Sequence, residues 1–124
     1  MARFAKLSTI LAAALMIAAA PAAHAQTTGL EPAFGNTIVS THPDGRQARL
    51  WLSANHTFSA QGRRGNRSSG TWRVRGERLC LTQRRPIPIP IPYCHGFSHH
   101  SVGERWNDRA SNGDPVTNQI VADH

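Results

Sequence analysis

Three histidines crowd the stretch after Cys94: His95, His99 and His100. Imidazoles at i and i+4, such as His95 and His99, ligate zinc when a helix brings them to one face. Gly96 and the lack of any helical apolar period argue against a helix here, and no carboxylate stands among the three. The expectation is a solvated loop that holds no metal and gains positive charge at acidic pH. The two cysteines, Cys80 and Cys94, lack the C-x-x-C spacing of a redox pair. In an oxidising compartment they read as a structural disulfide closing a loop of about 15 residues, with a contribution of about 3 kcal/mol. Catalysis finds little support. Ser, His and Asp are present, but without a G-x-S-x-G setting for a nucleophile. The glycine-bearing stretch at 62–65 lacks the Lys-Ser/Thr ending of a phosphate loop. The seven acidic residues are scattered, with no carboxylate pair marked for acid–base work. The expectation is a non-enzymatic protein without a cofactor.

Arginine is the other chemistry-bearing type. Arg63, Arg64 and Arg67 sit in a glycine-bearing segment, and Arg73 and Arg75 alternate outward along a strand pattern. Together they are candidates for one basic, anion-binding face, because the guanidinium fork suits carboxylate and phosphate. The competing reading is a solvated arginine-rich surface. Anionic envelope lipid or polymer is the expected partner class, with a periplasmic protein as the alternative. Nucleic acid is disfavoured by the expected compartment.

That compartment is read from the amino terminus. Arg3 and Lys6 precede an apolar run from Leu7 to Ala20, and Ala23-His24-Ala25 offers a small-x-small cleavage pattern. Residues 1–25 are therefore expected to be a signal peptide with a helical apolar segment too short to span a bilayer. Its removal takes 25 of 124 residues and two of the 14 basic ones, leaving 99 residues with twelve Arg, no Lys and seven acids, a net charge of +5. No later apolar stretch is long enough to cross a membrane as a helix.

The rest of the chain reads as strands and turns. Residues 26–34 form an irregular, mobile lead-in, and residues 35–124 form a single β domain. Thr37 to Thr41 is a β-branched strand, followed by the His42-Pro43-Asp44-Gly45 turn. Gln47 to Ser53 alternates, with Ala48, Leu50 and Leu52 on one face and Arg49 and Trp51 on the other. A second turn at Ala54-Asn55-His56 places Asn55 at positive φ, and Thr57 to Gln61 returns. Gly62 to Ser69 is expected as a loop. Thr71 to Arg75 and Arg78 to Gln83 form a hairpin with Trp72, Val74, Leu79 and Leu81 inward and Cys80 on the opposite face. A weaker signal covers Val102 to Ala110, and Val116 to Val121 closes the chain.

Arg85 to Cys94 alternates proline with isoleucine: Pro86, Pro88, Pro90 and Pro92 flank Ile87, Ile89 and Ile91. Each isoleucine precedes a proline and is held extended. One reading is a sheet-edge strand, paired through its isoleucine N–H groups and blocked on the proline side. The other is an exposed segment recruiting a protein with an aromatic groove. The edge strand is the favoured expectation, because a two-residue repeat spreads proline around a three-residue polyproline turn.

The run Gly70-Thr71-Trp72-Arg73-Val74-Arg75-Gly76-Glu77-Arg78-Leu79-Cys80-Leu81 resembles a hairpin, G-x-W-x-V-x-G-x-x-L-C-L, of small, functionally unassigned secreted or periplasmic β-rich proteins of Gram-negative bacteria. Pro43-Asp44-Gly45-Arg46 and Leu50-Trp51-Leu52 are similar to theirs, whereas Asn55-His56 departs from their Asp-Gly or Asn-Gly turn. The resemblance covers residues 35–94 and implies an envelope location and a β-rich domain, without catalytic residues. The expected fold is all-β: an antiparallel meander of about six strands curled into an open barrel or half-barrel, with a small sandwich as the alternative. The expected core is Ile38, Leu50, Leu52, Phe58, Trp72, Val74, Leu79, Leu81 and Trp106. The expected function is a non-enzymatic periplasmic accessory or binding protein touching anionic envelope material through its arginines. The alternative is a protein-interaction module using the Pro-Ile ladder or a sheet edge. Inhibition of lysozyme-type hydrolases fits poorly, since such targets are basic like this chain.

Overall fold

The structure is a computed structural model that describes residues 28–123. The signal peptide and its helix, expected over residues 1–25, lie outside the described residues. Among the described residues, a 3-10 turn (Glu31–Ala33) precedes eight strands: β1 (Thr37–Thr41), β2 (Gln47–Leu52), β3 (Thr57–Gln61), β4 (Arg67–Arg75), β5 (Arg78–Arg85), β6 (Tyr93–Gly96), β7 (Arg105–Arg109) and β8 (Pro115–Val121). They form one antiparallel sheet in the order β6-β5-β4-β3-β2-β1-β8-β7. The sheet curls into a half-closed barrel. The count of eight corrects the expected six. β6 is short and ends in glycine, which hides its period in the sequence, whereas β7 lies within the weaker signal over residues 102–110.

Four hairpins close with the same turn, in which the first N–H donates to the fifth carbonyl and the fourth N–H to the first. The pairs are His42 to Arg46 with Gly45, Ser53 to Thr57 with His56, Gly62 to Asn66 with Gly65, and Ala110 to Asp114 with Gly113. The fourth position takes positive φ in all four turns, and three times it is glycine. In the second turn it is His56, at φ 68°. This corrects the placement of positive φ at Asn55. Asn55 instead turns its side-chain oxygen to the Thr57 N–H (3.2 Å) and hydroxyl (2.6 Å). The repeated turn also shortens the expected loop at 62–69. Only residues 62–66 turn, and Arg67 to Ser69 already belong to β4, because Gly62 and Gly65 supply the whole reversal.

Gly70 sits where β5 crosses β4 closely. The β4–β5 register shifts between Ser69 and Gly70, and a Cβ on Gly70 would lie 1.9 Å from the Thr82 carbonyl oxygen. Glycine is the residue that permits this bulge.

Registers put the expected stripe on one face. Ile38 opposes Leu50 and Ile120, Leu50 opposes Ala60, Leu52 opposes Phe58, and Trp72 opposes Leu81. All nine expected core residues belong to the hydrophobic cluster, which adds Leu30, Ala33, Phe34, Ala60, Phe97 and Ile120. The lead-in therefore packs into the core from Leu30 onward. Leu30 and Ala33 are buried and Phe34 stacks 5.7 Å from Trp72, so this segment plugs one end of the barrel. Trp72 also donates through Nε1 to the Ser53 carbonyl at 2.8 Å.

The Pro-Ile stretch is a loop between β5 and β6, which corrects the edge-strand reading. Four of its seven residues have no N–H to offer a neighbour. One backbone bond, Ile89 N–H to the Gln83 carbonyl at 3.0 Å, ties it back, with Gln83 Nε2 donating to the Ile87 carbonyl. Ile87 and Ile91 stand 69 % and 77 % exposed. Cys80 and Cys94 are cross-strand partners of β5 and β6, bonded as a disulfide with Cα atoms 4.0 Å apart on the outer face. Among the described residues, no helix is long and apolar enough to cross a membrane.

Candidate functional site

Curling brings the two edges, β6 and β7, face to face. No backbone ladder joins them among the described residues. Side chains span the seam instead. His95 Nε2 on β6 lies 3.0 Å from both carboxylate oxygens of Asp108 on β7. Asn118 Nδ2 on β8 donates to Asp108 at 3.3 Å, and its oxygen accepts from the Ser40 hydroxyl on β1 at 2.5 Å. The Tyr93 hydroxyl stands 3.4 Å from the other ring nitrogen, His95 Nδ1. Five side chains thus form one polar ladder on the inner wall. Partial burial, and then the Asp108 charge, push the Tyr93 hydroxyl above its ordinary value.

Beside this ladder lies a cavity of about 770 Å³. Its walls include Ile38, Leu50, Leu79, Leu81, Trp106 and Ile120, and Leu30 with Ala33 closes it at the plugged end. Leu52, Phe58 and Trp72 pack tightly beside it and do not line the space. Small residues explain the void. Ala48 and Ser40 occupy inward positions where larger side chains would fill the lumen.

The turns after β1, β3, β5 and β7 gather at the open end of the meander. His42, Arg63, Arg64 and Asn112 line the cavity there. Arg63 Nη1 lies 3.4 Å from Asp114 and 3.5 Å from Asp44. His42 Nδ1 stands 3.3 Å from Asp114. The Asn112 amide, then His42, with the Arg63 charge added, hold the Asp114 carboxyl below its ordinary value. Arg64 is exposed at the same rim.

The five expected arginines are not brought together as one cluster. Arg63 and Arg64 sit at the mouth, while Arg67, Arg73 and Arg75 lie along the outer face of β4. From Arg67 to Arg75 the strand rises about 26 Å. The three histidines also part company. His95 joins Asp108. His99 Nδ1 approaches the Gly29 carbonyl at 3.3 Å. His100 stacks on Trp106, with ring centroids 3.6 Å apart, and bonds Glu104. Carboxylates therefore serve two of the three, although none stands among them in the sequence. No group of three metal-ligating side chains assembles among the described residues.

Asp108, Asn118 and Ser40 escaped sequence reasoning, yet period two marks them. Each lies two residues from an inward apolar residue, and so on the same face: Trp106, Val116 with Ile120, and Ile38. A polar residue inside an apolar stripe is the informative exception. Comparison with family models, with curated proteins and with solved structures finds no match for this chain.

Proposed function

We propose that this chain is a non-enzymatic binding protein, exported to the periplasm, that holds one small amphiphile with its apolar body in the lumen and its anionic end at the mouth. The observation that carries this reading is the cavity of about 770 Å³, walled by Leu, Ile and Trp and rimmed by Arg63 and Arg64. Pockets of this size and lining suit small ligands. The basic face expected from the sequence narrows to these two arginines. Arg64 is the freer, because Arg63 is shared between Asp44 and Asp114. The amino-terminal leader pattern and the disulfide support export.

The interior supplies affinity and the rim supplies selection. Each methylene moved from water into the lumen contributes about 0.8 kcal/mol, so affinity should climb about fourfold per carbon until the lumen is full. An alkyl carboxylate should bind more tightly than its methyl ester, and Arg64→Gln should reduce that preference. Displacement of a fluorescent fatty-acid probe by a homologous series of carboxylates and esters tests both. A flat dependence on chain length would remove the lumen from the account.

A further inference from the structure

We infer that the Pro-Ile loop is a docking tip for an anionic lipid bilayer, set at the end of the barrel where the lumen opens. Its largest exposed side chains are apolar: Ile87, Ile89 and Ile91 stand 69 %, 45 % and 77 % exposed, with Tyr93 at 44 %. An exposed cluster of this kind marks an interaction site. The charge around it selects the occupant. Arg84 and Arg85 lead into the loop and are exposed, and no Asp or Glu occurs anywhere from residue 78 to 103. The carboxylates at this end, Asp44 and Asp114, are both engaged by Arg63. The tip therefore offers apolar groups to an acyl region and guanidinium groups to phosphate head groups.

Proline makes such a tip cheap to desolvate. Backbone N–H groups that leave water without a partner are costly. Pro86, Pro88, Pro90 and Pro92 have none to lose, and the Ile89 N–H is already given to Gln83. The outer walls cannot serve instead. Their outward positions include Arg49, Gln61, Arg67, Arg73 and Arg75, and the strands run four to nine residues. Insertion is thus confined to the loop, with the lumen mouth held facing the lipid.

The inference stands apart from ligand binding in the lumen, and its test keeps the two separate. The disulfide-bonded chain is sedimented with vesicles of phosphatidylcholine alone and with vesicles containing about 30 % phosphatidylglycerol. Binding is expected to the anionic vesicles, weakening as salt rises. The triple substitution Ile87→Asn, Ile89→Asn, Ile91→Asn should lower it by about 100-fold, and Arg84→Gln with Arg85→Gln should remove the preference for anionic vesicles. Near-ultraviolet circular dichroism and fatty-acid uptake, unchanged in both variants, show that fold and lumen persist. Absence of vesicle binding, or binding undiminished in the triple variant, overturns the inference. So does an isoleucine-dependent dimer in sedimentation velocity, or a protein partner lost with the isoleucines while vesicle binding stays absent.

Discussion

At the residue scale, His56 and Gly70 test the backbone, and three carboxylates test electrostatics. His56 occupies a left-handed position that costs a non-glycine residue about 1–2 kcal/mol. It is held there by stacking on Trp72, with ring centroids 4.3 Å apart, while its carbonyl accepts the Trp72 N–H at 2.8 Å. His56→Ala keeps the strain and loses the stack, and should lower stability by about 1 kcal/mol. His56→Gly removes both and should be close to neutral in urea denaturation. Gly70→Ala drives a methyl into the β5 backbone and should cost about 3 kcal/mol or prevent folding. Asp114, Glu104 and Glu31 are all held below their ordinary values, chiefly by hydrogen bonds from Asn112, from His100 and from the Glu31 backbone N–H respectively. A depressed carboxylate adds stability that is present above its unfolded value and lost as pH falls through the folded one. The thermal midpoint should therefore hold level down to about pH 4 and decline below it. A midpoint that rises under acid would contradict these assignments.

At the element scale, the outcome separates what period two reveals from what it hides. β1 and β3 match the expected bounds, and β2 ends one residue early at Leu52, because Thr-Ile-Val-Ser-Thr, Ala-Arg-Leu-Trp-Leu and Phe-Ser-Ala alternate between recognisable turns. Of the two edges, β7 lies within the weaker signal over residues 102–110, and β6 was illegible. Tyr93–Gly96 has four residues and no aliphatic alternation, and it pairs with β5 across a proline-rich loop that carries no turn signal, with Cys94 opposite Cys80. The burial of the lead-in was equally hidden. Leu30, Ala33 and Phe34 have no strand period, and their burial follows only once a barrel exists with an end to fill. The disulfide fastens β6 to the sheet, so Cys80→Ser with Cys94→Ser should lower stability by about 3 kcal/mol. The urea midpoint, with and without reductant, reads this. Equal midpoints would show that the hairpin holds without the bond. The seam offers a second check. Asp108→Ala removes the acceptor of His95 and of Asn118, leaving polar groups on the inner wall without their partner. It should destabilise the protein by about 2 kcal/mol, more than Asp108→Asn.

At the scale of the whole molecule, the site exists because curling makes one space from strands distant in sequence. The residues of the polar ladder run from Ser40 to Asn118, and no local motif joins them. The arginines were legible as chemistry but not as a place, since which of them reach the lumen depends on which turns meet at the mouth. The most direct test uses Trp106, which lines the lumen. Bromine quenches indole fluorescence only at close range, so a bromoalkyl carboxylate reports whether the ligand lies inside. Saturable quenching that disappears in Trp106→Phe, with the remaining emission of Trp51 and Trp72 undimmed, is the predicted result. No quenching, or equal quenching in Trp106→Phe, would place the ligand outside the barrel and contradict the assignment of the lumen.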